Sequence, residues 1–245
     1  MSRFFVPKEA VKGNEILVEG DEAHHILDVM RLKELDKIVA FDGTGKEYVG
    51  FIKNARRNAL VVEIVETRHA PSHKNGLSIT LIQAIPKKDK MSCIVEKATE
   101  LGADSIIPVV TKRTIPDWNE SKRAANTERW RKIAKEASKQ CGRSDIPNIS
   151  EVRNFSELMK GPAPYNVSLI ATLGDGTISL RDAVRDFKEE SIAIAIGPEG
   201  DFTIPEINAA RKAGFKAVSL GRNVLKSDTA GLAALAILNY ELTSQ

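Results

Sequence analysis

The sequence of 245 residues contains little cysteine and no long hydrophobic run. Its two cysteines, Cys93 and Cys141, lie far apart and form no C-x-x-C pair, which argues against a disulfide framework and against a zinc cluster. We expect both to be buried packing residues. The longest apolar stretches, 192–196 and 232–238, are much shorter than the roughly 20 residues that cross a bilayer. The sequence therefore predicts no membrane-spanning segment.

The first residues of the chain also lack the apolar core of a secretion signal. Positions 1–13 carry Lys8, Glu9 and Lys12, whereas a signal peptide needs an apolar segment there. We therefore expect a cytoplasmic protein. With 42% apolar and 28% charged residues, the composition is that of a globular protein with one large domain or two modest ones.

Two common nucleotide-binding motifs are missing. A P-loop requires G-x-x-x-x-G-K-[ST], but Gly45-Lys46 is followed by Glu47, and Ala40 stands in place of the first glycine. A dinucleotide site requires a glycine cluster after the first strand of an α/β domain. Here residues 85–88 read Ile-Pro-Lys-Lys. The sequence excludes both site types.

A metal site is not predicted either. His24 and His25 are adjacent, so on a helix they point in different directions and cannot share an ion as an i, i+4 pair would. His69 and His73 have that spacing, but Pro71 between them argues against a helix.

Basic charge is concentrated in the middle of the chain. Residues 71–150 contain 15 basic and 9 acidic side chains, a net charge of +6, whereas residues 1–70 carry −1 and residues 151–245 carry −2. A local excess of lysine and arginine suits binding to a phosphate backbone. Solvated helix faces are the alternative explanation.

The first 70 residues have the pattern of a small, mostly antiparallel β-barrel. Five segments are typical of short strands, several with apolar residues at every second position: 3–6, 15–18, 37–41, 47–52 and 60–65. Asp21 begins a helix that runs to about Met30, and the glycine-rich residues 42–45 predict a tight turn. Residues 67–76 are polar and rich in turn formers, so we expect a linker there.

From residue 77 to residue 245 short apolar strands alternate with amphipathic helices, which predicts an α/β domain with a parallel sheet. The candidate strands are 77–84, 105–110, 167–171, 192–196 and 217–220. Apolar stripes predict helices that end at Gly102 and Gly142. Thr203 and Glu206 form a capping-box pattern that opens a third helix, and a last helix is expected over 229–243.

Three segments follow predicted strand ends, where open α/β sheets bind ligands. They are 171–176, 196–203 and 220–230, and each contains glycine. Glycine lets a ligand approach main-chain N–H and C=O groups that a Cβ atom would shield, and such groups suit the edge of an adenine. Each segment taken singly is also compatible with an ordinary turn.

Several motifs occur together in a fixed order. They are Phe-Asp-Gly at 41–43, Glu-Lys-Ala-Thr-Glu-Leu-Gly at 96–102 followed by Ile107-Pro108, Gln-Cys-Gly-Arg at 140–143 followed by Pro147, Ile-Gly-Pro-Glu-Gly at 196–200, and the segment 220–230. Together they resemble the ribosomal RNA small-subunit uridine-N3 methyltransferase family (RsmE type) of the SPOUT superfamily. The resemblance covers nearly the whole chain.

This resemblance implies a PUA-like RNA-binding β-barrel over 1–70 and a SPOUT methyltransferase domain over 77–245. It further implies a trefoil knot, an exception to the rule against threaded chains, a homodimer, S-adenosylmethionine as cofactor, and 3-methyluridine in 16S rRNA of the small ribosomal subunit as product. The cofactor contacts carried over are Leu173, Gly197, Gly200, Leu220, Gly221, Val224 and Leu225.

Two segments depart from the family pattern. The family commonly reads Leu-Arg-Thr-Glu-Thr-Ala where this chain has Lys226 and Asp228, and often Gly-Gly-Phe where it has Gly200-Asp201-Phe202. Charge is retained at 226 and 228, so we expect an active enzyme. In our hypothesis Lys226 stabilises negative charge on the uracil oxygens, and Asp228 orients Lys226 or accepts the N3 proton. An aspartate pKa of about 3.9 favours the orienting role.

The N3 atom lies on the pairing edge of uracil, so the target base must be unpaired or flipped out, and the RNA must be held elsewhere. The candidate RNA-binding residues are Arg3, His24, Arg31, Lys87, Lys88, Lys112, Arg113, Arg129 and Arg143. Two alternatives remain: another SPOUT RNA methyltransferase, acting on a ribose 2′-hydroxyl or on guanine, and a non-catalytic RNA-binding module for ribosome assembly.

Overall fold

The computed structural model describes residues 3–56, 58–69, 76–115, 118–174 and 176–243. The chain divides into two compact units. The first contains Met1–Ser72 and Lys135–Ile146, and the second contains His73–Ala134 and Pro147–Gln245.

The first unit is built on a six-stranded sheet in the order β1-β4-β5-β6-β3-β2. Its strands are β1 (Arg3–Phe5), β2 (Val11–Lys12), β3 (Glu15–Glu19), β4 (Lys37–Phe41), β5 (Lys46–Arg56) and β6 (Ala59–His69). The pair β1 and β4 is parallel, and the other neighbours are antiparallel. Strand β6 continues to His69, so residues 67–69 are not part of a linker as predicted, because they pair with β5. Residues 70–75 of that linker lie outside the described residues.

Alternating side chains of this sheet form the core of the first unit. They include Phe4, Ile16, Ile38, Tyr48, Ile52, Leu60 and Val62. The predicted helix forms as α1 (Gly20–His24) followed directly by a π-helical turn, His25–Val29, and it buries Ala23 and Ile26 against the same core. A 3₁₀ turn, Lys8–Ala10, joins β1 to β2. The turn predicted at 42–45 lies between β4 and β5.

The second unit contains an entirely parallel sheet with the strand order β10-β8-β7-β13-β11-β14-β12, and β9 pairs beside β8. Its strands are β7 (Ser78–Ala84), β8 (Ser105–Val110), β9 (Asn148–Ile149), β10 (Arg153–Asn154), β11 (Val167–Ala171), β12 (Ile178–Ser179), β13 (Ser191–Ile196) and β14 (Lys216–Ser219). All five predicted strands are confirmed to within one residue at each end. Their near-continuous burial is what a sheet covered on both faces requires.

Six helices follow α1 within the described ranges. They are α2 (Lys90–Glu100), α3 (Glu120–Cys141), α4 (Phe155–Leu158), α5 (Leu180–Val184), α6 (Ile204–Lys212) and α7 (Ser227–Leu242). The capping box of Thr203 and Glu206 is present at the start of α6. No helix in the described part of the chain is long and apolar enough to cross a membrane.

The two cysteines are exposed, so the prediction that they are packing residues is wrong. Cys93 lies on α2, whose buried face is formed by other residues, Met91, Ile94 and Val95 among them. Cys141 is the last residue of α3. It sits one turn beyond Ala137, the last apolar residue of that helix that is buried.

Candidate active site

The three predicted loop segments meet in one cleft at the carboxyl ends of β11, β13 and β14. The cleft encloses about 580 Å³ of empty space, a figure that includes the solvent-open space at its mouth. It is lined by Ala171, Thr172, Leu173, Ile196, Gly197, Pro198, Glu199, Asp201, Ser219, Leu220, Gly221, Asn223, Val224, Leu225, Ser227 and Ala230. Six of the seven predicted cofactor contacts are therefore brought together.

The seventh predicted contact, Gly200, does not line the cleft. Its carbonyl oxygen accepts a hydrogen bond from the Arg113 guanidinium. A Cβ atom at Gly197 would lie 3.1 Å from Oδ1 of Asp201 and 3.2 Å from the nitrogen of Phe202, so any other residue would require these neighbours to shift by a few tenths of an ångström. Gly221 has φ +136°, a conformation available to glycine and rarely to other residues.

A buried set of hydrogen bonds connects segments that line the cleft. The Ser227 hydroxyl donates to the carbonyl oxygen of Gly197 at 2.5 Å, and it accepts a hydrogen bond from Nε2 of Gln83 at 3.1 Å. The same nitrogen donates to the carbonyl oxygen of Ala84 at 3.0 Å. Gln83 and Ser227 are both buried, so these bonds fix the loop after β13 to the start of α7. Sequence reasoning missed Gln83, although an amide at the end of the apolar strand β7 is an available signal.

A second polar link joins two of the loops above the sheet. Both carboxylate oxygens of Asp201 accept hydrogen bonds, Oδ1 from the nitrogen of Phe202 at 2.7 Å and Oδ2 from the Thr172 hydroxyl and the Leu173 nitrogen, each at 3.1 Å. The sequence marked Asp201 only as a departure from the family pattern and gave it no role.

The proposed catalytic residues lie at the start of α7. Lys226 is the exposed N-cap residue of this helix. Asp228 forms an ion pair with Lys90, 3.2 Å between Nζ and Oδ1, and not with Lys226 in the part of the chain that the structure describes. The prediction that Asp228 orients Lys226 is therefore wrong in this conformation. Lys90, at the start of α2, is a neighbour of the candidate site that the sequence did not indicate.

Four of the candidate RNA-binding residues lie on loops beside the cleft. The backbone nitrogen of Lys87 donates to Glu199 at 3.0 Å, and that of Lys112 donates to Glu206 at 2.7 Å. These bonds engage main-chain atoms, and both lysines are exposed. Lys88 follows Lys87 with φ +60°, and Arg113 contacts Gly200 as described above. A further candidate, Arg129, forms an ion pair with Asp89.

The remaining candidates belong to the first unit and have acidic partners or unusual backbone. Arg3 forms an ion pair with Glu47 at 2.8 Å, and His24 contacts Asp28 at 2.7 Å. Arg31 is exposed, with φ +55°. Arg143 is only 7% exposed and forms an ion pair with Asp145, so it is not the surface cation that the prediction assumed.

Glu47 is the centre of this charged network. Its carboxylate also accepts hydrogen bonds from Arg68 at 2.7 Å and from the Ser144 hydroxyl at 2.5 Å. Burial alone would raise the pKa of Glu47, but the hydrogen bonds from Ser144, Arg3 and Arg68 outweigh it and lower the pKa to about 2. Within the described ranges, no three His, Cys, Asp or Glu side chains lie close enough together to hold a metal ion.

Comparison with known proteins agrees with this geometry. Residues 73–239 match the family described as "RNA methyltransferase domain", and residues 18–65 match "RNA methyltransferase PUA domain". The chain is 30% identical to the ribosomal RNA small subunit methyltransferase E of Bacillus subtilis, over 98% of this chain and 97% of that protein. It is also 30% identical to the protein of the same name from Rickettsia conorii, over 96% and 93% of the two chains.

The fold agrees as well. A crystal structure of ribosomal RNA small subunit methyltransferase E from Neisseria gonorrhoeae, bound to S-adenosyl methionine, matches with a TM-score of 0.85 and 29% identity over 98% of this chain and 97% of that one. Fold and cleft thus define an RNA methyltransferase with a PUA-like domain. The chain belongs to the ribosomal RNA small subunit methyltransferase E family, which confirms the resemblance drawn from the motifs.

Proposed function

We propose that this chain is an S-adenosylmethionine-dependent methyltransferase that methylates N3 of a uridine in 16S rRNA. The observation that carries the proposal is the convergence of three glycine-containing loops in one cleft at the carboxyl edge of a parallel sheet. The relatives named above act on small-subunit ribosomal RNA by name, and one of them is bound to S-adenosyl methionine.

The residues of the cleft fit this cofactor. Gly197 and Gly221 leave main-chain groups uncovered by a Cβ atom, and Leu173 and Val224 offer apolar side chains that are 66% and 73% exposed. Leu220 and Leu225 complete the set proposed to hold the cofactor. When bound, S-adenosylmethionine supplies a methyl group activated by its sulfonium charge.

Lys226 and Asp228 have separate roles in this proposal. Lys226 is exposed and carries no acidic partner among the described residues, so its ammonium group is available to stabilise charge on a uracil carbonyl oxygen. Asp228 is held by Lys90 at 3.2 Å, so of the two roles in the hypothesis the one without a Lys226 contact, acceptance of the N3 proton, is the role proposed for it.

To hold a flipped-out uridine in the cleft, the protein must also bind the neighbouring phosphates of the RNA. We propose Lys87, Lys88, Lys112 and Arg113 for this role, because they lie on loops that contact the turn after β13. Arg129 and His24 already have acidic partners, whereas Arg31 is exposed on the first unit and stays a candidate there.

Several finer features belong to the same proposal: a barrel over 1–70, a methyltransferase domain with a trefoil knot over 77–245, a homodimer and a cytoplasmic location. In support of the knot, α7 follows strand β14 but contacts β7 and β13, which lie on the other side of β11.

The test combines cofactor binding with mapping of the product. We expect calorimetric titration to show S-adenosylmethionine binding, and primer extension on 16S rRNA treated with the enzyme to stop at one uridine, because a methyl group at N3 blocks base pairing. Extension through the site would indicate a methyltransferase that acts on a ribose 2′-hydroxyl, because a 2′-O-methyl group allows extension. A stop at a guanine would indicate a guanine methyltransferase. A protein that binds RNA but no cofactor would be a non-catalytic assembly module, which would contradict the proposal.

A further inference from the structure

The turn after β13 contains a residue in a costly backbone conformation. Asp201 has φ +60°, in the left-handed region that glycine occupies freely and that aspartate occupies less often. Glycine would meet the backbone requirement of this turn at a lower cost. An aspartate at such a position is expected to make favourable contacts through its side chain.

The contacts of the carboxylate indicate that role. Oδ1 accepts the hydrogen bond of the Phe202 nitrogen within its own turn. Oδ2 accepts two bonds from another loop, those of the Thr172 hydroxyl and the Leu173 nitrogen, each at 3.1 Å. Asp201 thus ties the loop after β11 to the turn after β13.

These residues form part of the cleft wall. Thr172, Leu173 and Asp201 all line it. The Leu173 side chain is 66% exposed, so packing does not hold this residue in place. Its backbone nitrogen is held by Asp201, and this contact fixes the position of the wall in the free protein.

We propose that Asp201 is a positioning residue for cofactor binding, which keeps the loop after β11 in its binding conformation before the cofactor arrives. The inference rests on the proposed function, because it takes the cleft as the S-adenosylmethionine site. A preformed wall avoids the entropy cost of ordering the loop on binding. The Leu173 nitrogen, already bound to Asp201, is not a donor to the cofactor.

Two variants test the role in complementary ways. Asp201→Asn keeps the size and tolerates the same φ, but its amide offers only one acceptor atom, so it loses either the bond from the Phe202 nitrogen or the bond from the Leu173 nitrogen. Asp201→Gly removes the side chain but accepts the positive φ more readily than aspartate does, so this variant is expected to fold. Thr172→Val removes one of the two bonds between the loops. Asp186→Asn, at an exposed carboxylate outside the cleft lining, is the matched control.

The measurements are the Kd of S-adenosylmethionine by calorimetry, steady-state kinetics on 16S rRNA, and amide hydrogen exchange at Leu173 in the cofactor-free protein. We expect Asp201→Gly to raise both the Kd and the KM for S-adenosylmethionine about 10-fold, with kcat within about twofold of wild type. Amide hydrogen exchange at Leu173 should become faster. Asp201→Asn and Thr172→Val should show smaller changes in the same direction, and Asp186→Asn none.

Two results would overturn the inference. One is a cofactor Kd within about twofold of wild type for both Asp201 variants, and the other is a fall in kcat with KM unchanged. Wild-type protein that binds no S-adenosylmethionine would overturn the proposed function as well. The exchange rate at Leu173 would then still report whether Asp201 orders the loop, so the two failures are distinguishable.

Discussion

Several arginines of the first unit and the cations beside the cleft of the second unit have different surroundings. In the first unit, Arg3 and Arg68 hold the buried carboxylate of Glu47, and Arg143 is buried beside Asp145. In the second unit, the cations near the cleft, such as Arg113, stay at the surface. A cation that stabilises a buried carboxylate is unavailable to RNA, so burial separates residues that the charge count of the sequence treats alike.

The difference extends to what each unit requires of its polar groups. Both carboxylate oxygens of the buried Glu47 have partners, Arg3 and Ser144 at Oε1 and Arg68 at Oε2, so these contacts contribute to folding. The cleft of the second unit leaves main-chain groups of three loops open, so it is available for a ligand. Substitutions in the two units should therefore separate stability from catalysis.

The largest effect should come from Lys226. We expect Lys226→Ala to slow single-turnover methyl transfer about 100-fold, because it removes the charge proposed to stabilise the uracil oxygen. Cofactor affinity and thermal stability should stay at wild-type values, since the side chain is exposed. Lys226→Arg, which keeps the charge, serves as the control and should retain most of the activity. A rate for Lys226→Ala within about threefold of wild type, under 1 kcal/mol, would remove the residue from the mechanism.

The converse change is at Glu47. Glu47→Ala leaves the half-buried Arg3 without its carboxylate, and we expect a loss of about 3 kcal/mol in the free energy of unfolding of the first unit. Urea titration followed by hydrogen exchange in β4 and β5 measures it. Glu63→Gln, on the same sheet but 55% exposed, should cost under about 0.5 kcal/mol. Unchanged stability for Glu47→Ala would contradict the role assigned to the network.

Much of the fold was predictable from the sequence, because buried parallel strands appear as short apolar runs with turn formers at their ends. The two-residue strands β9, β10 and β12 were not, since they are too short for any periodicity. The position of the cleft could be predicted from the ends of the strands, but the hydrogen bonds between the segments that line it could not. Gln83 and Ser227 are 144 positions apart, and only the strand order of the folded sheet brings such residues together.

The partner of Asp228 illustrates the same limit. Sequence proximity suggested Lys226, two positions away, whereas the structure pairs it with Lys90, 138 positions away. On a helix, residues two apart do not face each other. The sequence spacing alone argued against a contact between Asp228 and Lys226. No local sequence pattern, however, indicated Lys90 as the partner.

The pH dependence of stability tests the role of the Glu47 carboxylate in the first unit. Glu47 has a pKa of about 2 in the folded protein against an ordinary value of 4.5, so its contribution is fully present above pH 4.5 and is lost as the pH falls toward 2. The shift corresponds to at most about 3 kcal/mol. We expect the difference in unfolding free energy between wild type and Glu47→Gln to shrink over this window. A difference that stays constant from pH 6 to pH 3 would show that the carboxylate is not held as described.

The smallest effect, and the most direct comparison between the units, concerns two arginines. Arg113→Ala should weaken binding to 16S rRNA about threefold to 10-fold and reduce the salt dependence of log K by about one, because an exposed cation beside the cleft then no longer meets a phosphate. Arg143→Ala should leave that slope unchanged and lower the stability of the first unit, because its side chain is buried against Asp145. Arg185→Ala, an exposed arginine on the second unit, controls for net charge. If Arg143→Ala reduced the salt slope and Arg113→Ala did not, the assignment of structural and RNA-binding cations to the two units would have to be reversed.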